Sequence, residues 1–319
     1  MILQIVPRPP GSHEGVGDYA AALAAGLERS SGFPTEFVTG AMIANENWRP
    51  PPATAVILHY VNYGYDPRGI PSWLPGRLRE VPRLLTIFHE LYASGSWRQS
   101  AFWLQPRQKK IARLLAEKSS VCIVSSSVLA EQLQVLAPRA RVLVRPVVST
   151  FGEPPLALDR DPRRWVICGG TELIRRSLRS FAQKDAELFV VGGADVPEVR
   201  RAVEQAHYFP NVEAAAASQV LSSCAFGWID YFETARVPCA AILKSTAFAA
   251  CCAHGVIPVL PRADSKIALG DDALPGPFSP ANLPTAGERP AIAQATYDWY
   301  HRNASAAHLA ATVAQAISA

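Results

Sequence analysis

Two hydrophobic patterns alternate along the chain. Short, nearly continuous apolar runs (ILQIV, AVILHY, LLTIF, VCIV) are separated by stretches in which apolar residues recur at three- and four-residue spacing. A continuous run suits a strand buried on both faces, and the longer period suits a helix lying over it. In the first half this predicts strands at 2–6, 36–39, 55–60, 84–90, 121–125 and 142–146. Helices are expected at 18–29, 99–117 and 128–136, the last with Leu129, Leu133 and Leu136 on one face. A Pro-rich polar stretch at 149–162 reads as a linker. The alternation then restarts, with strands at 165–169, 188–192, 225–230 and 257–260 and helices at 198–206, 244–254, 292–300 and 306–317. A loop rich in Pro and Gly spans 261–290. Repeated strand–helix alternation defines an α/β class with parallel sheets.

Composition divides the same chain in two. Its 319 residues are 49% hydrophobic and 18% charged, enough for two ordinary cores and unlike a disordered segment. Domains are expected at 1–150 and 151–319. Residues 1–150 carry 16 Lys/Arg against 10 Asp/Glu, while 151–319 carry 15 against 17. The basic stripe is too sparse, and helix-turn-helix or Gly-aromatic signatures too absent, for nucleic acid as a partner. No run approaches the ~18 apolar residues of a membrane span, and the Met1 end lacks a basic leader, so the expected location is cytoplasmic. The six cysteines show no C-x-x-C pair and no finger-spaced His, which predicts buried thiols and no bound metal.

Candidate chemistry gathers at predicted strand ends. GSHEGVGDYAAAL, between the first strand and helix, brings glycines to a helix N-terminus, where unpaired N–H groups suit an anion. Glycines that merely shape a loop are the alternative. Gly15 to Ala20 also fit G-x-G-x-x-A, but a dinucleotide fold needs a tighter turn after the strand and a ribose-binding acid after the second strand, and Thr39-Gly40 supplies none. His59 and His89 stand at the ends of neighbouring strands, with Glu90 next to the latter; a histidine there suits proton transfer or a sugar hydroxyl, or is a satisfied structural imidazole. In the second half, Gly169-Gly170 precede Arg175-Arg176, a pairing that suits a diphosphate or else a solvated helix face. Gly192-Gly193 form another close-approach turn. Lys244-Ser245-Thr246 open a thoroughly apolar helix, as an anion site or an N-cap. The Asp159-Arg160-Asp161 triplet and Asp271-Asp272 read as solvated charge.

Taken in order, GSHEGVGDYAAAL, TIFHE, CIVSSSVLAEQL, VVGG and KSTAFAACCAHGVIPVL resemble the GT-B fold glycosyltransferases, particularly the family-4 type, over nearly the whole chain. Gly255-Val256-Ile257-Pro258-Val259 nearly match the end of that family's E-A-x-A-x-G-x-P-V-V. The resemblance implies two Rossmann-like domains facing each other across a cleft, an acceptor domain first and a nucleotide-sugar donor domain second, with the final helix packing back on the first. It implies transfer of a glycosyl group from a nucleoside-diphosphate sugar to an acceptor hydroxyl, without metal or other cofactor. By position, Gly15, Gly17, Gly170, Arg175, Arg176, Gly193, Lys244, Ser245 and Thr246 fall on the donor side, and His13, His59 and Glu90 on the acceptor side. His89 matches the histidine near the transferred sugar. The family's two glutamates correspond to Ile242 and Ala250, which leaves Asp230 and Glu233, just beyond FGWID, as substitute catalytic acids. A nucleotide-sugar epimerase of GT-B-like fold and a catalytically degenerate nucleotide-binding or partner protein are the alternatives. The acceptor is a sugar, a lipid-linked molecule or another small molecule. Between Arg68 and Arg113 nine Lys/Arg face two acids, with Trp73, Trp97, Phe102 and Trp103 interleaved. That composition suits peripheral contact with the inner membrane surface, and equally a solvated helix over a core.

Overall fold

A computed structural model describes residues 1–11, 15–93, 98–203, 205–232, 237–262 and 265–318. The chain forms two compact units, Met1–Pro146 with Ala306–Ala319, and Val147–Ser305. The first unit runs β1 (Ile2–Val6), α1 (Gly15–Ser31), β2 (Thr35–Thr39), α2 (Gly40–Ala44), β3 (Ala55–Tyr60), α3 (Asn62–Tyr65), α4 (Leu74–Arg77), β4 (Leu84–Phe88), α5 (Ser100–Lys118), β5 (Val121–Val124), α6 (Ser127–Leu136) and β6 (Val142–Val144). The second runs β7 (Asp161–Cys168), α7 (Thr171–Ser180), β8 (Glu187–Val191), α8 (Pro197–Ala202), β9 (His207–Phe209), α9 (Ala214–Ser223), β10 (Cys224–Trp228), a 3-10 turn at Cys239–Lys244, α10 (Thr246–Ala253), β11 (Ile257–Val259), the short hairpin β12 (Ala268–Leu269) and β13 (Asp272–Ala273), and α11 (Arg289–Asn303). Helix α12 (Ala306–Ser318) then returns to the first unit.

Unit 1 is a parallel sheet of order β2-β1-β3-β4-β5-β6, and the order reverses between β1 and β3. Alternation along these strands sends Leu3, Ile5, Val56, Leu58 and Tyr60 into one core with Ile111, Ala112 and Leu115 of α5. Gln4 and His59 therefore face the other side, toward α1. Helix α12 lies along α1, where Gly26 admits it: a Cβ on Gly26 would stand 2.9 Å from the Cβ of Ala310 and 3.0 Å from the Ala306 carbonyl oxygen.

Unit 2 is a parallel sheet of order β11-β10-β7-β8-β9, with its reversal between β7 and β10. Trp165, Ile167, Val190, Phe226, Trp228 and Val259 fill its core. The segment predicted as a linker is pinned to this unit. The Tyr300 hydroxyl accepts from Ser149 N and donates to Glu153, and Tyr297 Oη donates to the Pro154 carbonyl. Arg160, expected in solvent, is half-buried and donates to the carbonyls of Ala157, Cys224 and His254. Strand β7 accordingly starts at Asp161, four residues ahead of the predicted position. Asp272 is likewise no solvated loop charge, because Arg302 and Asn303 hold its carboxylate and clamp the hairpin to α11.

Other boundaries move for local reasons. The helix expected at 244–254 starts at Thr246, because Ser245 is extended and its hydroxyl accepts from Phe248 N as the N-cap. The helix expected at 198–206 ends at Ala202. Helix α11 starts inside the predicted loop, with Pro290 in its first turn, a position that tolerates the missing N–H. Helices α7 and α9 and strand β9 escaped the hydrophobic pattern. In α7 only Ile174 and Ser177 are buried, and α9 opens on four alanines that show no period.

Candidate functional site

In unit 1, polar side chains meet at the carboxyl end of the sheet, beside its reversal point, where open α/β sheets bind ligands. His59 ends the buried face of β3, and His89 follows β4, placed by its own N–H donating to the Tyr60 carbonyl at 2.9 Å. The two imidazoles are hydrogen-bonded, His59 Nδ1 to His89 Nε2 at 3.3 Å, with rings nearly parallel and centroids 5.6 Å apart. On its other side His59 Nε2 lies 2.6 Å from Gln4 Oε1, and Gln4 Nε2 donates to the Ala20 carbonyl of α1. Tyr19 sets its ring edge-on against both histidines, at 5.8 and 4.9 Å between centroids. Burial pushes His59 well below the ordinary histidine range, with the neighbouring His89 adding to the effect, and burial lowers His89 to about 4. Both rings are neutral at pH 7. His59 is sealed off, whereas His89 is partly exposed and can meet a ligand.

Glu90 is exposed, and its charge joins burial in raising the Tyr60 hydroxyl. Gly15 opens α1 with nothing near the space a Cβ would take. Gly17 is buried, and a Cβ there would stand 3.2 Å from Pro10 Cα, so its smallness lets the Pro9-Pro10 loop cross the helix. His13 lies outside the described residues.

In unit 2 the glycine turns and two helix starts converge on the carboxyl ends of β7 and β8. Gly192 takes φ +93° and Gly193 φ +67°, backbone that L side chains rarely adopt. A Cβ on Gly192 would come 2.8 Å from the Gly169 oxygen, and one on Gly193 would stand 3.2 Å from the Thr171 nitrogen. The Thr171 hydroxyl accepts from Ala194 N, tying the second turn to the start of α7. A Cβ on Gly169 would touch that of Ala247, in the first turn of α10, at 3.3 Å. Gly170 is the cap residue of α7 and faces open space. Lys244 is exposed, immediately before the Ser245 cap, and Thr246 is half-buried behind it.

Helix α7 separates the two arginines that the sequence pairs. Arg175 turns to the acids Glu172 and Glu198, 3.7 and 3.4 Å away on an exposed face. Arg176 turns to the end of β10, where it donates to the Tyr231 carbonyl at 2.9 Å. The same strand end is strapped to α7 by buried Ser177, whose hydroxyl accepts from Asp230 N at 3.1 Å and whose carbonyl accepts from Trp228 Nε1. Asp230 is half-buried, its backbone N–H held by Ser177. Glu233 lies outside the described residues. Ile242 and Ala250 are both fully buried, so carboxylates at these places would be desolvated inside the core.

Gln4, Tyr19 and Ser177 are the site residues that strand-end reasoning missed. Gln4 carried a usable signal as the one polar residue in the apolar run of β1. A cavity of about 450 Å³ lies elsewhere, lined by Arg113, Glu117, Ser119 and Pro138 near the start of β5. Its lining precedes β5 and β6, at the amino ends of the strands, whereas the histidines stand at the carboxyl ends of β3 and β4. Among the described residues no group of three or more His, Cys, Asp or Glu could hold a metal ion.

No protein-family model matches the chain, and no curated protein matches its sequence. Solved structures do match its fold. WaaG, a glycosyltransferase involved in lipopolysaccharide biosynthesis, is similar with a TM-score of 0.55 and 12% identity over 100% of both chains. A DNA-modifying β-glucosyltransferase, studied with and without its substrate uridine diphosphoglucose, gives 0.53 and 10% identity, again over 100% of both. A Listeria monocytogenes protein assigned as a UDP-N-acetylglucosamine 2-epimerase gives 0.50 and 12% identity, over 99% of this chain and 94% of the other. The fold is that of the GT-B proteins, with two Rossmann-like units in one chain. At such identities the architecture is shared, while the chemistry has to be argued from the residues.

Proposed function

We propose that the protein is a glycosyltransferase of the family-4 type that moves a sugar from a nucleoside-diphosphate donor to an acceptor hydroxyl. The observation that carries this reading is the convergence of Gly169-Gly170, Gly192-Gly193 and the first turn of α10 at the carboxyl end of the second sheet. The Gly169 and Gly192 N–H groups are spent on the Val191 and Phe209 carbonyls, so a diphosphate would use the open space at Gly170 and the N–H groups of the two helix starts. In the proposed reaction the bond between the anomeric carbon and the diphosphate oxygen breaks, a bond to the acceptor oxygen forms, and the acceptor hydroxyl gives its proton to the departing diphosphate. Negative charge develops on the leaving diphosphate. Lys244, Arg176 and the α7 and α10 N–H groups are the groups that would stabilise it. His89, neutral at pH 7, supplies hydrogen bonding to a hydroxyl and no charge for a phosphate. Asp230 is the acid at the edge of this site in place of the family's glutamates. Unit 1 holds the acceptor in this reading, and unit 2 the donor.

A lipid-linked acceptor and peripheral contact with anionic lipid belong to the same proposal. On α5, Trp103, Arg107, Lys110 and Leu114 recur at helical spacing and are all exposed, Trp103 by 68%, with Phe102 beside it. Trp97, from the same stretch, lies outside the described residues. No helix among the described residues is long and apolar enough to cross a membrane. Co-sedimentation with vesicles of phosphatidylglycerol and phosphatidylcholine at low salt tests this part; retention in the supernatant removes it.

The functional reading is tested by a thermal-shift screen against UDP, GDP, ADP and dTDP and their sugars, since a ligand of the native state raises the midpoint by mass action. UDP-sugars head the panel, because uridine diphosphoglucose is the substrate of one fold relative. Lys244→Ala and His89→Ala are then compared in transfer and donor hydrolysis, and parent-level rates in both would displace the assigned site. The fold likeness to the 2-epimerase assignment supports a second reading. Product analysis with donor alone separates the two, because an epimerase needs no acceptor.

A further inference from the structure

The polar side chains behind His89 form a hydrogen-bond chain whose direction is set at one end. The Ala20 carbonyl only accepts, so the Gln4 group 3.3 Å from it is the amide N–H₂, and the Gln4 oxygen faces His59. That oxygen, 2.6 Å from His59 Nε2, only accepts, so the proton of neutral His59 is on Nε2. His59 Nδ1 then carries a lone pair, and the 3.3 Å contact to His89 is made by an N–H on His89 Nε2. The sole remaining ring nitrogen of His89, Nδ1, is left without a proton.

We infer that the chain Ala20 carbonyl–Gln4–His59–His89 locks His89 in its Nε2–H tautomer and presents Nδ1 as a hydrogen-bond acceptor, with Gln4 and His59 as positioning residues. The alternative tautomer of His89 would set two lone pairs against each other at 3.3 Å. Gln4 and His59 are both fully buried, so no water replaces a lost partner cheaply, and Tyr19 packed edge-on against both rings prevents either imidazole from turning away. Burial disfavours protonation of either ring, which keeps the chain from being scrambled by an imidazolium at neutral pH. An acceptor nitrogen at this place selects a ligand group that donates, a hydroxyl or an N–H, and gives nothing to an unprotonated phosphate oxygen. The identity of that group as a sugar hydroxyl rests on the glycosyltransferase reading; the tautomer does not.

Two-bond ¹H–¹⁵N correlation on the full chain labelled at histidine reads the tautomers directly, without substrate. Both His59 and His89 are expected to show a pyrrole-type Nε2 and a pyridine-type Nδ1 at pH 7. A pyridine-type Nε2 on His89 overturns the inference. In Gln4→Met and, independently, His59→Phe, the single-tautomer pattern of His89 is expected to give way to an averaged one. An unchanged pattern in either folded variant overturns the role of that positioning residue. Titrating the wild type with UDP and with UDP-glucose separates the two proposals. Failure of either ligand to bind counts against the functional reading and leaves the tautomer result standing. Binding of UDP-glucose with no shift at His89 Nδ1 beyond that given by UDP overturns the acceptor role.

Discussion

Gly26 of α1 and Ala310 of α12 are in such close approach that a single added methyl group has no room: it would lie 2.9 Å from the Ala310 Cβ and 3.0 Å from a backbone oxygen. Neither neighbour is the end of a flexible side chain. Gly26→Ala is therefore expected to lower stability, although alanine favours a helix over glycine by about 1 kcal/mol. A net loss of about 1–2 kcal/mol is expected in urea unfolding, within the range of overpacked cores. A gain in stability would mean that α12 shifts freely along α1.

Arg160 donates to three carbonyls that would otherwise lose this partner in a partly buried place. Arg160→Met keeps much of the apolar stem and removes the donors, and it is expected to cost about 2–4 kcal/mol. Arg160→Lys recovers a part of this, since an ammonium cannot span the same fork of acceptors. Urea midpoints of the three proteins order them parent, lysine, methionine.

Acid sensitivity should begin above the carboxylate range. His59, His89 and His254 are all shifted down, chiefly by burial, and His89 and His254 reach about 4. The unfolded chain takes up a proton at each near pH 6.5, while the native chain does not. Stability is thus full above about pH 6.5 and falls as pH drops toward 4, at up to ~1.4 kcal/mol per pH unit for each histidine. Denaturation midpoints at pH 7.5, 6 and 5 report it; a flat series contradicts imidazoles held neutral in the native state.

Gly193→Ala forces a side chain onto left-handed backbone against the start of α7. The variant is expected to lose about 1–3 kcal/mol of stability and most of its thermal response to nucleoside diphosphates. Gly170→Ala, at an open position with ordinary backbone, is the matched control and is expected to keep its fold. A Gly193→Ala protein that responds to nucleotides like the parent would remove this turn from the donor site.

The two sheets were legible because most of their strands hold a buried apolar run, and several β–α turns carry a capping residue (Thr39, Ser126) or paired glycines (Gly169-Gly170, Gly192-Gly193). The histidine pair was legible for the same reason, as polar residues ending apolar runs. Gln4 carried that signal inside a strand and still escaped, since attention to strand ends passes over a polar residue two places earlier. The different fates of Arg175 and Arg176 were not legible, because residues one apart on a helix diverge by about 100° and only the packed helix decides which faces the sheet. Arg160 and Asp272 looked like surface charge because, apart from the nearby Ala157 carbonyl, their partners are the Cys224 and His254 carbonyls and the Arg302 and Asn303 side chains, all remote in sequence. The family's glutamate spacing pointed to Ile242 and Ala250, and their complete burial accounts for the apolar residues there without saying what replaced the acids.

The return of α12 also sets an order of assembly on the ribosome. Strands β1 to β6 emerge first, yet the helix that packs on α1 is synthesised only after all of the second unit. The unit made last can complete itself while the unit made first waits, with the Gly26 side of α1 uncovered throughout translation of residues 147–305. A fragment ending at Pro146 inherits that uncovered surface permanently, whereas one spanning 147–305 inherits none of it.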